Sequence, residues 1–128
     1  MTWIDGFVIP VKREHEAVYR RMAKDAAPIF LEHGALQVIE SWGADVPHGQ
    51  VTDFYRAVAA EPGENVVFSL IVWPSREAQA EGNRAAMDDP RMAEAVDMSV
   101  FAGKRMIFGG FEQILDTRNQ ESGEQDNG

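Results

Sequence analysis

Read for the spacing of its apolar and polar positions, the chain divides into strands of period two and helices of period near 3.6. Trp3 to Val11 is an aromatic and β-branched run that predicts a first strand. Pro10 lacks a backbone donor and is expected to end that strand or place it at an edge. From about Glu14 to His33, the residues Val18, Met22, Ala26, Ile29, Phe30 and His33 recur at helical spacing and predict a long helix. Pro28 inside it predicts a kink or tightened turn over residues 24–28, and Gly34 suits a left-handed stop. Leu36 to Asp45 predicts a second strand, with Leu36, Val38, Glu40 and Trp42 on one side and Gln37, Ile39, Ser41 and Gly43 on the other. A long connection follows. It holds a turn at Pro47-His48-Gly49, a short helix or strand through Phe54, Ala57 and Val58 with Thr52 or Asp53 as its cap, and a turn at Glu61-Pro62-Gly63-Glu64. Asn65 to Trp73 is the clearest strand. Ser75 caps a helix running to about Met87, and Asp89-Pro90 opens a short helix over Arg91 to Asp97. A last strand covers roughly Lys104 to Leu115, where Gly109-Gly110 predicts a bulge or close backbone contact.

The order is β-α-β-β-α-β, which predicts an α+β domain over residues 1–116 with both main helices on one sheet face. Residues 117–128 contain no large apolar side chain and are expected to form a disordered tail. The first and third strands, however, are apolar on both sides. Val66, Phe68, Leu70 and Val72 point one way, and Val67, Ile71 and Trp73 point the other. The helices can shelter only one face, and no further element is evident to cover the second. A second copy of the same sheet is the simplest cover, so a homodimer is expected. The alternative is a monomer whose long middle connection folds back over that face.

Composition narrows the classes of function. A net charge of −9 repels phosphate backbones and anionic membrane surfaces, so neither nucleic acid nor membrane is an expected partner. No apolar stretch approaches the ~20 residues of a membrane helix. The N-terminal residues show no secretory pattern, which favours a cytoplasmic protein. The chain has no cysteine, which excludes disulfides, thiolate metal sites and cysteine nucleophiles.

Several segments together resemble the YbaA-like family, a bacterial domain-of-unknown-function family of the dimeric α+β barrel superfamily. They are Asp5-Gly6-Phe7-Val8, Ala26-Ala27-Pro28, His33-Gly34-Ala35-Leu36, Trp42-Gly43-Ala44-Asp45-Val46-Pro47, Val51-Thr52-Asp53-Phe54, Val66-Val67-Phe68-Ser69, Trp73-Pro74-Ser75, Asp88-Asp89-Pro90-Arg91-Met92 and Gly103 through Glu112. The resemblance spans the chain to about Asp116. It implies a ferredoxin-like fold, an antiparallel sheet with helices on one face, and a dimer whose sheets form a shared barrel. It implies no activity and no catalytic residue. Distant members of the superfamily include cofactor-free monooxygenases, haem-degrading enzymes and lactone isomerases, with a pocket between sheet and helices; this is fold-level analogy.

On that analogy Glu40, Trp42, Phe54, Tyr55, Trp73, Asn83 and Met87 are candidates to line an apolar pocket, against the plainer reading that such aromatic and Met side chains are core. Glu40 and Glu112 fall within strands. A carboxylate on a buried face needs a partner, which Arg56, Lys104 or Arg105 could supply as a structural ion pair; the alternative is an acid or base of raised pKa in a cavity. Asp45, His48 and Asp53 could bind a divalent ion or run acid–base chemistry, but their spacing matches no metal motif and suits turn and cap hydrogen bonds better. His15, between two glutamates, reads as solvated charge. His33, at a helix end, reads as a cap or core-edge group that could still reach the pocket. No phosphate loop or nucleophile motif is present, and the second long helix offers no histidine as a haem ligand. No cofactor or metal is expected. The reading is therefore a homodimer binding a small apolar or aromatic molecule, with or without turnover.

Overall fold

The computed structural model of the chain describes residues 2–119. Its main elements are β1 (Trp3–Lys12), α1 (Glu16–Glu32), β2 (Gln37–Trp42), α2 (Phe54–Ala57), β3 (Glu64–Trp73), α3 (Arg76–Asp88), α4 (Pro90–Ala95) and β4 (Ile107–Glu112). The strands form one antiparallel sheet in the order β2-β3-β1-β4. This is the ferredoxin-like arrangement, with the two longest and most apolar strands at the centre.

Local chemistry accounts for the boundaries. Ser75 Oγ accepts from Ala78 N to start α3, and Asp89 accepts from Arg91 N to start α4, with Pro90 at the first helical position. Asp53 caps α2 by accepting from Arg56 N at 2.8 Å. Gly34 stops α1 with φ +109°, and Gly63 turns into β3 with φ +86°.

Two prolines behave differently from expectation. Pro10 does not end β1, which continues to Lys12, and it is fully buried near the sheet centre. The ladder with β4 stops at Val8, and beyond it Pro10 accepts from Ala102 N at 3.2 Å. Its missing donor therefore faces the side where no strand needs one. Pro28 likewise sits inside an α1 that is helical without interruption from Glu16 to Glu32. The Gly109-Gly110 pair causes no bulge, since the ladder to β1 runs in unbroken register. It is a close contact instead: a side chain on Gly110 would strike the Trp3 ring.

The sheet has two unlike faces. On one, Ile9, Val11 and Val67 pack with Tyr19 and Met22 of α1, while Ile71 and Trp73 pack near the α1–β2 junction and under α3. On the other lie Ile4, Gly6, Val8 and Pro10, with Val66, Phe68, Leu70 and Val72 beside them, flanked by Ile39 and by Ile107 and Phe111. Two covers were open for this second face, another copy of the sheet or the middle connection folding back. The structure shows the latter in part: Val46, Tyr55, Val58 and Ala60 of that connection fold across it and bury Val8 and Val66. Coverage stops there. Phe68 stays 47% exposed, Ile39 37%, Ile107 44% and Phe111 61%. The tail expected from residue 117 onward begins as a short 3-10 turn at Thr117–Asn119; residues 120–128 lie outside the described residues. No helix among the described residues is long and apolar enough to cross a membrane.

Gly82 gives a test of the packing of α3. A Cβ there would collide with the Trp73 ring and with the His33 carbonyl at the end of α1. Mid-helix Gly→Ala changes normally stabilise by ~1 kcal/mol. Here the sign reverses: Gly82→Ala should destabilise by about 1–3 kcal/mol through overpacking. Thermal unfolding followed by circular dichroism should show a fall in Tm; a rise would contradict this packing.

Candidate functional site

The candidate residues separate into distinct places. Trp73 is completely buried under α3, where its Nε1 donates to Asp5 Oδ2 at 3.2 Å. Asn83 is half-buried on α3 and Met87 is exposed. Trp42 and Phe54 lie at the other end of the sheet. Trp42 pairs with Val67, six ladder positions from Trp73, which at about 3.4 Å per residue is ~20 Å. The seven pocket candidates therefore cannot share one cavity. The space expected to hold a pocket between sheet and helices is filled by Trp73, Tyr19, Met22 and Ile71.

A different cleft forms where β2 ends and the middle connection begins. It holds about 260 Å³ and is lined mainly by Trp42, Gly43, Val46, Phe54, Val66 and Phe68, with Ser41 and Asp45 at its polar side. Phe54 meets Phe68 edge-on at 6.3 Å. The segment behind it is well tied. Tyr55 donates to the Val46 carbonyl at 2.9 Å and stacks on His48 at 4.5 Å. Asp53 accepts from both Arg56 N and Gly49 N, hydrogen bonds that hold its carboxyl below the usual carboxylate range, and His48 stands 3.6 Å away. Asp53 and His48 thus serve the turn and cap, and of the proposed polar trio Asp45 alone reaches the cleft wall.

The remaining polar candidates are paired elsewhere. His33 Nε2 lies 3.0 Å from Asp89 Oδ2, and Arg91 bridges Asp89 to Glu32. This ties the end of α1 to the start of α4, far from any pocket role. Arg105 donates to both oxygens of Glu64 at 2.7 Å and to the Ala59 carbonyl at 2.9 Å. Those bonds hold the Glu64 carboxyl below its ordinary value and pin the middle connection to the approach of β4. Glu112 is exposed on β4.

Glu40 does not take the cationic partner expected of it. The residue stands exposed on an edge strand, yet its carboxylate turns inward. Tyr19 Oη donates to Oε1 at 2.8 Å and Ser69 Oγ donates to Oε2 at 3.0 Å, both from buried residues. Desolvation against them raises the Glu40 pKa, partly offset by the two hydrogen bonds. Sequence reasoning also missed Asp5. This buried carboxylate accepts from the indoles of Trp3 and Trp73 and from Gln79 Nε2, while Arg76 stacks on Trp3. Its position between Trp3 and Phe7 on one side of the strand was the available signal.

Glu40 generates a pH test. Its folded pKa lies above the ordinary value of 4.5, so its contribution to stability is present below that pH and is lost as pH rises through the folded pKa. Glu40→Gln removes the titration. The Tm difference, variant minus parent, should therefore become more positive between pH 4.5 and neutrality. A constant or falling difference would contradict the desolvated carboxylate.

Comparison with known proteins adds the family. Residues 2–103 match the family described as protein of unknown function (DUF1428). The chain is 52% identical over 116 residues to the uncharacterized protein YbaA of Escherichia coli strain K12, covering 91% of this chain and 99% of that one. YbaA of Shigella flexneri matches to the same extent, with the same coverage of both chains. Among solved structures, a mutant of SnoaB, a cofactor-independent oxygenase from Streptomyces nogalater, is similar with TM-score 0.51 at 15% identity, over 91% of this chain and 96% of the other. Rv0793 from Mycobacterium tuberculosis is similar with TM-score 0.52 at 12% identity, over 91% and 99%. At such identities the structural likeness speaks to fold alone. Sequence identity along nearly the whole chain goes further: this protein belongs to the DUF1428 family, the family of YbaA.

Proposed function

We propose that the chain works as a homodimer and holds a small apolar or aromatic molecule in the cleft at the end of β2. The observation that carries the pairing is the uncovered sheet face. Apart from the Lys12–Glu64 pair at one end of the β1–β3 ladder, no ladder position on this face bears a charge, although the chain as a whole carries −9. Burying such a face gains ~25 cal/mol per Å² of apolar area, and two sheets pack at about 10 Å without any further element between them. The like charges lie elsewhere and are screened within ~8 Å at physiological salt.

The cleft adjoins that face through Phe68, so a partner would deepen it. Its aromatic lining suits a flat apolar ligand, and its size suits a small one. One fold neighbour, SnoaB, is a cofactor-independent oxygenase. By that analogy the bound molecule would be turned over without a cofactor. The filled interior between sheet and helices favours the second reading, a binding or interaction module without turnover.

Light scattering should return about twice the chain mass of 14.3 kDa. Phe68→Asp and Phe111→Asp each place a charge on the uncovered face and should shift the population to monomer with helix content retained. Phe111 is the safer probe, being the more exposed of the two. A parent protein that runs as a monomer, or charged variants that remain dimeric, would remove the pairing from this reading.

A further inference from the structure

Beyond β4 the chain carries two bulky apolar side chains that the described residues leave uncovered. Ile114 is 95% exposed and Leu115 73%, more than Phe68 or Phe111 on the open face. Both stand in a segment that is held in place. Gln113 N donates to the Thr2 carbonyl at 3.0 Å, which extends the pairing of β4 with the start of the chain, and Asp116 accepts from Arg118 N at 2.9 Å. The result is a short arm that fixes two aliphatic side chains away from the protein's own core. Apolar area held out in this way is unfavourable in water unless another surface receives it.

The ladder register sets this arm diagonally opposite the cleft. The cleft lies where Trp42 ends the edge strand β2, paired with Val67. The arm leaves the other edge strand, β4, after Glu112, which pairs with Trp3. Val67 pairs with Ile9, so six ladder positions of β1, about 20 Å, separate the two levels. Two copies paired through their open faces are related by a two-fold axis between the sheets. An axis across the diagonal carries each arm over the partner's cleft, both at once. An axis along the diagonal sets arm against arm, where Glu112 and Asp116 of the two copies would repel. The cleft corner has no such cluster. Asp45 is the one carboxylate in its lining, and the half-exposed Arg56 follows Phe54 on α2.

We propose that Ile114 and Leu115 of each copy form the missing wall of the partner's cleft, so that the ligand site is built from two chains. This deepens the reading of the cleft as a ligand site and rests on the pairing through the open face. Phe54 and Phe68 are each about half-exposed at the cleft. Aliphatic side chains laid over them bury both partners and strand no polar group. A small apolar molecule is then enclosed, as a groove open to water on one side does not allow. Binding and pairing are linked in consequence: a ligand held only by the complete site favours the dimer, and a lone chain holds it weakly.

The chain has no cysteine, so Thr117→Cys gives a single attachment point for a nitroxide, on an exposed turn beside the arm. Spin-labelled full chains at natural abundance are mixed with an equal amount of ¹⁵N-labelled parent chains. Amide signals of the parent, recorded before and after reduction of the nitroxide, then report contacts between copies only. Those of Gly43, Val46, Phe54 and Phe68 should lose most of their intensity and recover on reduction. Leu115→Ser should raise the dimer dissociation constant roughly tenfold, the worth of partly burying one leucine. Intensity loss centred on residues 113–119, or on any other surface, would overturn the arm's placement and leave the pairing intact. So would the absence of any loss in a sample that light scattering shows to be dimeric. A dissociation constant unchanged by Leu115→Ser would overturn the contact as well. A monomeric parent would remove the arm and the pairing together.

Discussion

A four-stranded sheet whose central strands are apolar on both sides, served by long helices on one side only, sets the terms for everything else in this protein. Burial of Ile9, Val11, Val67, Ile71 and Trp73 beneath α1 and α3 uses up the helices. What remains is a mainly aliphatic and aromatic face whose charged ladder positions, Lys12 and Glu64, lie at one end. Exposed apolar area of that kind is uncommon on a chain that otherwise carries a large negative charge, and the proposed pairing rests on it.

The middle connection handles part of the problem and defines the rest. Val58 sits on Val8 and Val66, and the connection is held down by the Arg105–Glu64 ion pair, the Tyr55–Val46 hydrogen bond and the Asp53 cap. Each tie is local and specific, so the connection has a fixed edge. Beyond that edge Phe68, Ile39, Ile107 and Phe111 stay open, and at the edge itself the cleft forms. The cleft and the open face are thus two consequences of one partial cover, which is why the proposed pairing surface and the proposed ligand site fall side by side.

Much of the fold was legible because its signals are local. Period two in Asn65 to Trp73, period 3.6 in Val18 to Ile29, and caps at Ser75, Asp89 and Gly34 each name their own element. The site was far less legible, because it depends on which residues meet across the fold. Trp42 and Trp73 read alike in sequence, yet the register of β3 sets them at opposite ends of the sheet. Glu40 was rightly singled out for a partner, but its partners come from α1 and β3 as hydroxyls rather than from a cation. Pro10 misled because a proline at the centre of a sheet is tolerable only where the neighbouring strand has already ended, and no local pattern says where that is.

The central claim concerns which surface meets a second copy. A mixed sample, in which half the chains carry ¹³C-labelled Ile and Phe side chains and half are unlabelled, permits an isotope-filtered NOE measurement that detects contacts between copies only. The account predicts cross-peaks from Ile39, Phe68, Ile107 and Phe111 to protons of the unlabelled copy. Cross-peaks confined to residues of the helix-bearing surface, or none at all, would contradict it.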